Sequence, residues 1–134
     1  VQHDNGNLAY LRLAYSADMV GMYAAADVVV CRAGASTIAE IATVGVCSVV
    51  VPWKDAAENH QLVNARWLTD HDAALLMEES TMTHHDFAAV IESLLIDDDR
   101  RMTIARNAKA LGIAHRESKI VDVINEAARS GKLQ

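Results

Sequence analysis

Aromatic side chains are scarce in this sequence, at 4% of residues, so its core must be built from smaller groups. Apolar residues still make up 51% of the chain, enough for a real core and against disorder. Ala and Val carry most of that fraction, which suits helices packed closely on a sheet. No basic cluster is present and the net charge is −6. The first absence excludes a polybasic attachment to anionic lipid; with the second, it excludes general nucleic-acid binding, which needs Lys and Arg against phosphates. The apolar runs near Val28 and Val49 are far too short to span a bilayer, and no secretory signal is visible. Only two cysteines occur, Cys31 and Cys47. Neither has a second Cys or a His at ligand spacing, so each reads as a buried thiol of a reducing compartment, with a disulfide between them the lesser alternative. His84 and His85 lack metal-spaced partners, His3, His71 and His115 stand alone, and no Ser-His-Asp or Cys-His arrangement can be traced. No metal and no cofactor is expected.

At 134 residues the chain is one domain or a piece of one. It begins with Val rather than Met, so a piece of a longer protein is expected. Residues 1–7 read as polar loop and residues 8–13 as a short strand. The spacing of Met19, Val20 and Tyr23 predicts a helix over 16–26, capped by Ser16. Residues 27–31 form a β-branched run too short for a helix, a strand buried on both faces. A helix over 36–44 follows, with Gly45 as its left-handed cap, then a buried strand over 47–51 stopped by Pro52. Residues 59–70 are helical and 74–77 form another strand. Beyond residue 80 only helices are expected: one capped by Thr83, one opened by Asp97, Asp98 and Asp99 and closed by Gly112, with Arg100 and Arg101 pairing with those acids, and a last one over 118–128. Apolar strands alternating with helices argue for an α/β fold, a Rossmann-like parallel sheet with flanking helices. Ligands of such sheets sit beyond the carboxyl ends of the strands, which puts residues 32–36 and 52–59 on one edge.

The first of these loops reads "CRAGASTIAE". A helix start exposes unpaired N–H groups and a partial positive charge, favourable for an anion. Gly34 lets the backbone approach closely, Ala35 and Ser36 are small, and Ser36 and Thr37 add hydroxyl donors. The stretch lacks the Gly-Lys-Ser/Thr ending of a P-loop and the second and third Gly of the dinucleotide fingerprint. A bland reading competes: Thr37 to Glu40 fits a capping box, T-x-x-E, in which Glu40 folds back on the helix start instead of facing a sugar's hydroxyl pair. The second loop reads "PWKDAAENHQLVNA". Asn59 suits an N-cap, and His60 and Gln61 follow on the same edge, where an amide can both donate and accept.

Taken together, "AYSADM", "ADVVVCRAGAST..E", the "VP" that ends the next strand and "ENHQ..NA", in that order and spacing, resemble the carboxyl-terminal domain of the MurG family. These enzymes transfer N-acetylglucosamine (GlcNAc) from UDP-GlcNAc to lipid I, making lipid II for peptidoglycan. The resemblance is dense over residues 14–79 and looser beyond. It implies part of the C-terminal domain of a GT-B glycosyltransferase, with residues 1–79 as the donor-binding core and 80–134 as a helical tail. Tyr15, Ser16 and Met19 would form the uracil pocket. Ala35, Ser36 and Thr37 would form the diphosphate loop, with Arg32 and Gly34 also counted in the UDP-GlcNAc site, Glu40 would hold the ribose, and His60 and Gln61 would read the GlcNAc hydroxyls, where some members have Gln-Gln. The implied chemistry is a direct, inverting displacement, with the general base on an amino-terminal domain that this sequence does not contain. Lipid I would be met through that domain, and the intact enzyme would lie in the cytoplasm, peripheral on the inner face of the plasma membrane. Lipid-linked GlcNAc transferase subunits and diacylglycerol galactosyltransferases are similar alternatives, and a non-catalytic nucleotide-sugar-binding module is a third. In a sheet of order 3-2-1-4-5-6, residues 8–13 would be the third strand and residues 27–31 the fourth. The fourth strand would lack its neighbour, so self-association through an exposed edge is expected.

Overall fold

A computed structural model describes residues 2–4, 9–55, 59–113, 122, 125, 126 and 129. Its centre is a parallel sheet of three strands, β3 (Val29–Cys31), β4 (Ser48–Val50) and β5 (Leu75–Leu76), in the order β3-β4-β5. Val29 lies opposite Ser48 and Cys31 opposite Val50, while Val49 faces Leu75. Helix α2 (Ala35–Val44) crosses from β3 to β4, and α3 (His60–Thr69) crosses from β4 to β5. This is the strand–helix alternation the apolar pattern predicts.

Side chains alternate along β4, so its two faces feed two cores. Val50 joins Ile38, Ile41, Ala65, Leu68 and Ala108 on one side; Cys47, Val49 and Val51 join Leu94 and Ile104 on the other. The second core is closed by α4 (His84–Ile96) and α5 (Asp98–Leu111), and α5 reaches around to the first core through Ala108. Small residues make this possible. At Gly112 an added Cβ would lie 2.1 Å from the carbonyl oxygen of Ala42, so the end of α5 touches the backbone of α2 directly.

Helix ends follow local chemistry. Gly45 takes φ +77° after α2, where a side chain would be strained. Thr83 and Asp86 form a reciprocal capping box at α4, and its bonds from Thr83 hold the Asp86 carboxyl below its usual range. Asp97 caps α5 by accepting from the Arg100 N–H across 2.9 Å. Of the two arginines expected to pair with the acids, Arg101 does so with Asp98. The Arg100 guanidinium instead donates to the Ser93 hydroxyl.

Five further expectations are corrected. Residues 1–7 are not all loop, and residues 8–13 do not join the main sheet. Strand β1 (Gln2–Asp4) and strand β2 (Ala9–Leu11) pair with each other, antiparallel. In the expected order 3-2-1-4-5-6 residues 8–13 would not neighbour residues 27–31, and the partner they find lies close by in sequence. Helix α1 is Met19–Ala25 and its cap is Asp18, not Ser16. The Asp18 carboxylate accepts from the Gly21 N–H at 2.8 Å, while the Ser16 hydroxyl accepts from the Asp18 N–H. β3 is not buried on both faces: Val30 is 46% exposed, because β3 is the edge of the three-stranded sheet. The fifth correction concerns the start of α2, taken up below. Of the last expected helix, over 118–128, Asp122, Asn125 and Glu126 are helical, as is Arg129; its other residues lie outside the described set. Among the described residues no helix is long and apolar enough to cross a membrane.

Candidate functional site at the carboxyl edge of the sheet

Because the three strands are parallel, the segments leaving β3, β4 and β5 emerge on one edge. The turn after β3 runs straight into α2, with Gly34 as N-cap at φ −64°, ψ 143°. The first intrahelical bond runs from the Ile38 N–H to the Gly34 carbonyl, 3.0 Å. The N–H groups of Ala35, Ser36 and Thr37 therefore have no acceptor within the helix. Ala35 and Ser36 are exposed and Thr37 half-buried. An anion set here would meet converging N–H donors and the positive end of a ten-residue helix.

This geometry excludes the capping box over Thr37 to Glu40. The helix starts two residues before Thr37, so Thr37 already lies in the first turn and Glu40 in the second. Glu40 makes a different contact. The Tyr23 side chain of α1 lies beside its carboxylate, and burial, followed by the Glu40 charge and hydrogen bonding to it, raises the Tyr23 pKa.

Between β4 and α3 the chain turns at Asn59, the N-cap of α3, in the left-handed region at φ 55° and with no side-chain cap bond. His60 is exposed and Gln61 half-buried. The Gln61 Oε1 accepts from two backbone N–H groups, Trp53 at 2.9 Å and Ala33 at 3.2 Å. One turn on, the Asn64 side chain donates to the Ala33 carbonyl at 3.0 Å. Gln61 thus joins the two loops, leaving only its amide N–H donors for anything outside. Asn64 stands in the "ENHQ..NA" motif, but the sequence assigned it no role; two amides at i,i+3 spacing on one helix face were a second signal.

Arg32 is tied down as well. Its guanidinium pairs with both oxygens of Glu79, at 2.9 and 3.1 Å, and reaches the carbonyls of Val51 and Pro52. That hydrogen bond holds the Glu79 carboxyl below its usual range. The pair joins the ends of all three strands, so Arg32 is placed as a brace of the edge and not as a free cation over the α2 start. Glu79 carried no sequence signal, since its partner is distant in the chain. Tyr15, Ser16 and Met19 lie just before and at the start of α1, with Tyr15 83% and Met19 39% exposed. The link from α1 to α2 is made one turn further on, by Tyr23. Cys31, at the end of β3, is free, and burial pushes its thiol up to about 11. Among the described residues no group of three His, Cys, Asp or Glu gathers as a metal site.

The chain matches the family described as the glycosyltransferase family 28 C-terminal domain over residues 1–124. It is similar to curated relatives named UDP-N-acetylglucosamine–N-acetylmuramyl-(pentapeptide) pyrophosphoryl-undecaprenol N-acetylglucosamine transferase. The one from Xanthomonas euvesicatoria pv. vesicatoria is 42% identical over 117 residues, covering 87% of this chain and 27% of the relative. The one from Coxiella burnetii is 45% identical over 97 residues, covering 72% and 27%. A crystal structure of MurG from Acinetobacter baumannii superposes with a TM-score of 0.68 at 37% identity, covering 73% of this chain and 28% of that one. The chain spans about a quarter of the length of the proteins it matches.

Proposed function

Since the chain belongs to the glycosyltransferase family 28 C-terminal domains, we propose that it is the donor-binding part of an enzyme that moves GlcNAc from UDP-GlcNAc to lipid I, giving lipid II with inversion. The observation that carries this reading is Gly34. An added Cβ there would have only the Thr37 hydroxyl near it, at 3.8 Å, and φ is ordinary. Gly is an ordinary N-cap, but the backbone and the space here would also admit a side chain, and leaving that space open suits the close approach of a ligand.

In this reading the diphosphate lies on the N–H groups of Ala35, Ser36 and Thr37. As the bond to the anomeric carbon breaks, charge grows on the leaving UDP, where these fixed donors and the helix dipole oppose it. Glu40 accepts from the ribose hydroxyls. Tyr15, Ser16 and Met19 surround the uracil. His60 and the outward amide of Gln61 read the sugar, and Arg32 with Glu79 keeps the edge in register. The general base and the lipid I site belong to parts of the enzyme outside this sequence, and the enzyme works in the cytoplasm as a peripheral protein at the inner membrane face. Residues 1–79 carry the donor core and 80–134 the helical tail. Alone, this chain self-associates through the open edge of β3, which light scattering across a concentration series would detect.

Calorimetry with UDP-GlcNAc, UDP-galactose and UDP tests the donor. UDP-GlcNAc is expected to bind most tightly. Preference for UDP-galactose would reassign the chain to a galactosyltransferase, and absence of all three isotherms would overturn the donor-site reading for this chain.

A further inference from the structure

We infer that Asn64 is a positioning residue for the anion-binding turn, acting through Ala33 without touching the nucleotide diphosphate. The inference rests on the donor-site reading above and adds to it the element that sets the turn's shape.

Ala33 is fully buried. It lies two residues past the end of β3 and just before the cap of α2, so neither the sheet ladder nor the helix serves its backbone. A buried N–H and C=O must nonetheless find partners. Both come from α3: Gln61 accepts from the N–H and Asn64 donates to the C=O. The two peptide planes flanking Ala33 are therefore each held by an amide side chain. The second plane matters most. It carries the Ala33 carbonyl on one side and the Gly34 N–H on the other, and in a planar trans peptide these point in opposite directions. When Asn64 draws the carbonyl inward toward α3, the Gly34 N–H is turned outward, beside the open N–H groups of Ala35 and Ser36. Gln61 also accepts from Trp53, so it joins two loops. Among the described residues, the Asn64 side chain donates to that one carbonyl.

The test is binding by this chain of three probes: uridine, UDP and UDP-GlcNAc. It compares the wild type with Asn64→Asp, which keeps the shape but loses the donor, and Asn64→Ala. The expected result is a loss of about tenfold in UDP affinity in both variants, the scale of one charge-assisted hydrogen bond. Uridine affinity, which needs no diphosphate, should stay within twofold, and UDP-GlcNAc should lose no more than UDP does. An equal loss for uridine and UDP would overturn the inference in favour of a merely structural role. Loss for UDP-GlcNAc with UDP unchanged would overturn it in favour of direct sugar contact. Wild-type protein that binds UDP no more tightly than uridine would overturn the donor-site reading itself, and the inference with it.

Discussion

Replacing Gly34 by Ala separates what the fold needs from what a ligand needs. At φ −64°, ψ 143° the residue sits in extended backbone open to any side chain. The built Cβ meets nothing closer than 3.8 Å, so no clash is introduced. Two small terms oppose each other: Ala is a poorer N-cap than Gly, and it reduces the entropy of the unfolded chain by about 0.4–1 kcal/mol. Net stability should stay within about 1 kcal/mol of wild type, measured by urea unfolding. Affinity should behave differently. An anion oxygen approaches a helix N–H to about 2.9 Å, whereas a methyl carbon keeps contacts at about 3.5–4 Å. The new methyl displaces the oxygen and weakens at least one charge-assisted bond, worth about 1.5–3 kcal/mol. UDP affinity should therefore fall about tenfold to hundredfold in calorimetry. Unchanged UDP affinity would refute the idea that a ligand comes close to Gly34. A stability loss above about 2 kcal/mol would show that the fold needs the glycine after all.

Gly112→Ala is the contrasting case: its Cβ would lie 2.1 Å from a backbone oxygen of α2, and it should cost about 3 kcal/mol or more in urea unfolding as α5 is pushed off α2. Ser48 is fully buried, and its hydroxyl has no partner among the described residues. Ser48→Ala should leave stability unchanged or raise it by about 1 kcal/mol, and a clear loss would reveal a hidden partner. Cys31, with its thiol pushed up to about 11, should resist iodoacetamide at pH 8 and react faster by roughly tenfold per pH unit up to pH 10. Because the folded pKa is raised, the same group should make the fold less stable as pH climbs from about 9 to 11, visible as a falling urea midpoint.

The parts of this fold that were legible in the sequence are those written in local chemistry. β4 and β5 declared themselves as short apolar runs, Gly45 as a left-handed cap, and Thr83 and Asp97 as helix starts. The T-x-x-E pattern at Thr37 misled because the same spacing carries no information about where the strand lets go. With β3 ending at Cys31 and Gly34 already in place as a cap, α2 began too early for Thr37 to serve. The genuine box lay at Thr83 and Asp86, with an Asp in the reciprocal position. What stayed hidden was long-range. The Gln61 and Asn64 bonds to Ala33 span 28 and 31 residues, and the Arg32–Glu79 pair spans 47. None of these residues has an unusual neighbour in sequence, and the partners meet only once the crossovers have stacked α3 and the end of β5 beside the β3 turn.

Glu40 shows how far geometry alone can carry a role. Its register on α2 rules out a cap, and the half-buried residue lies beside the Tyr23 hydroxyl, whose pKa its charge helps to raise. A carboxylate has room for several donors, so contact with Tyr23 leaves a remainder. If that remainder accepts from ribose, Tyr23 matters for aim. Tyr23→Phe removes the one donor and little volume, so the carboxylate can swing away from its place. The expected outcome is a drop of about threefold to tenfold in the preference for UDP over 2′-deoxy-UDP, the scale of one weakened hydrogen bond. Affinity for the deoxy compound should barely change, because it lacks one of the two hydroxyls. Titrations of both nucleotides against wild type and variant give the ratio directly. An unchanged ratio would mean that the Tyr23–Glu40 bond only ties α1 to α2, and that whatever reads the ribose lies elsewhere.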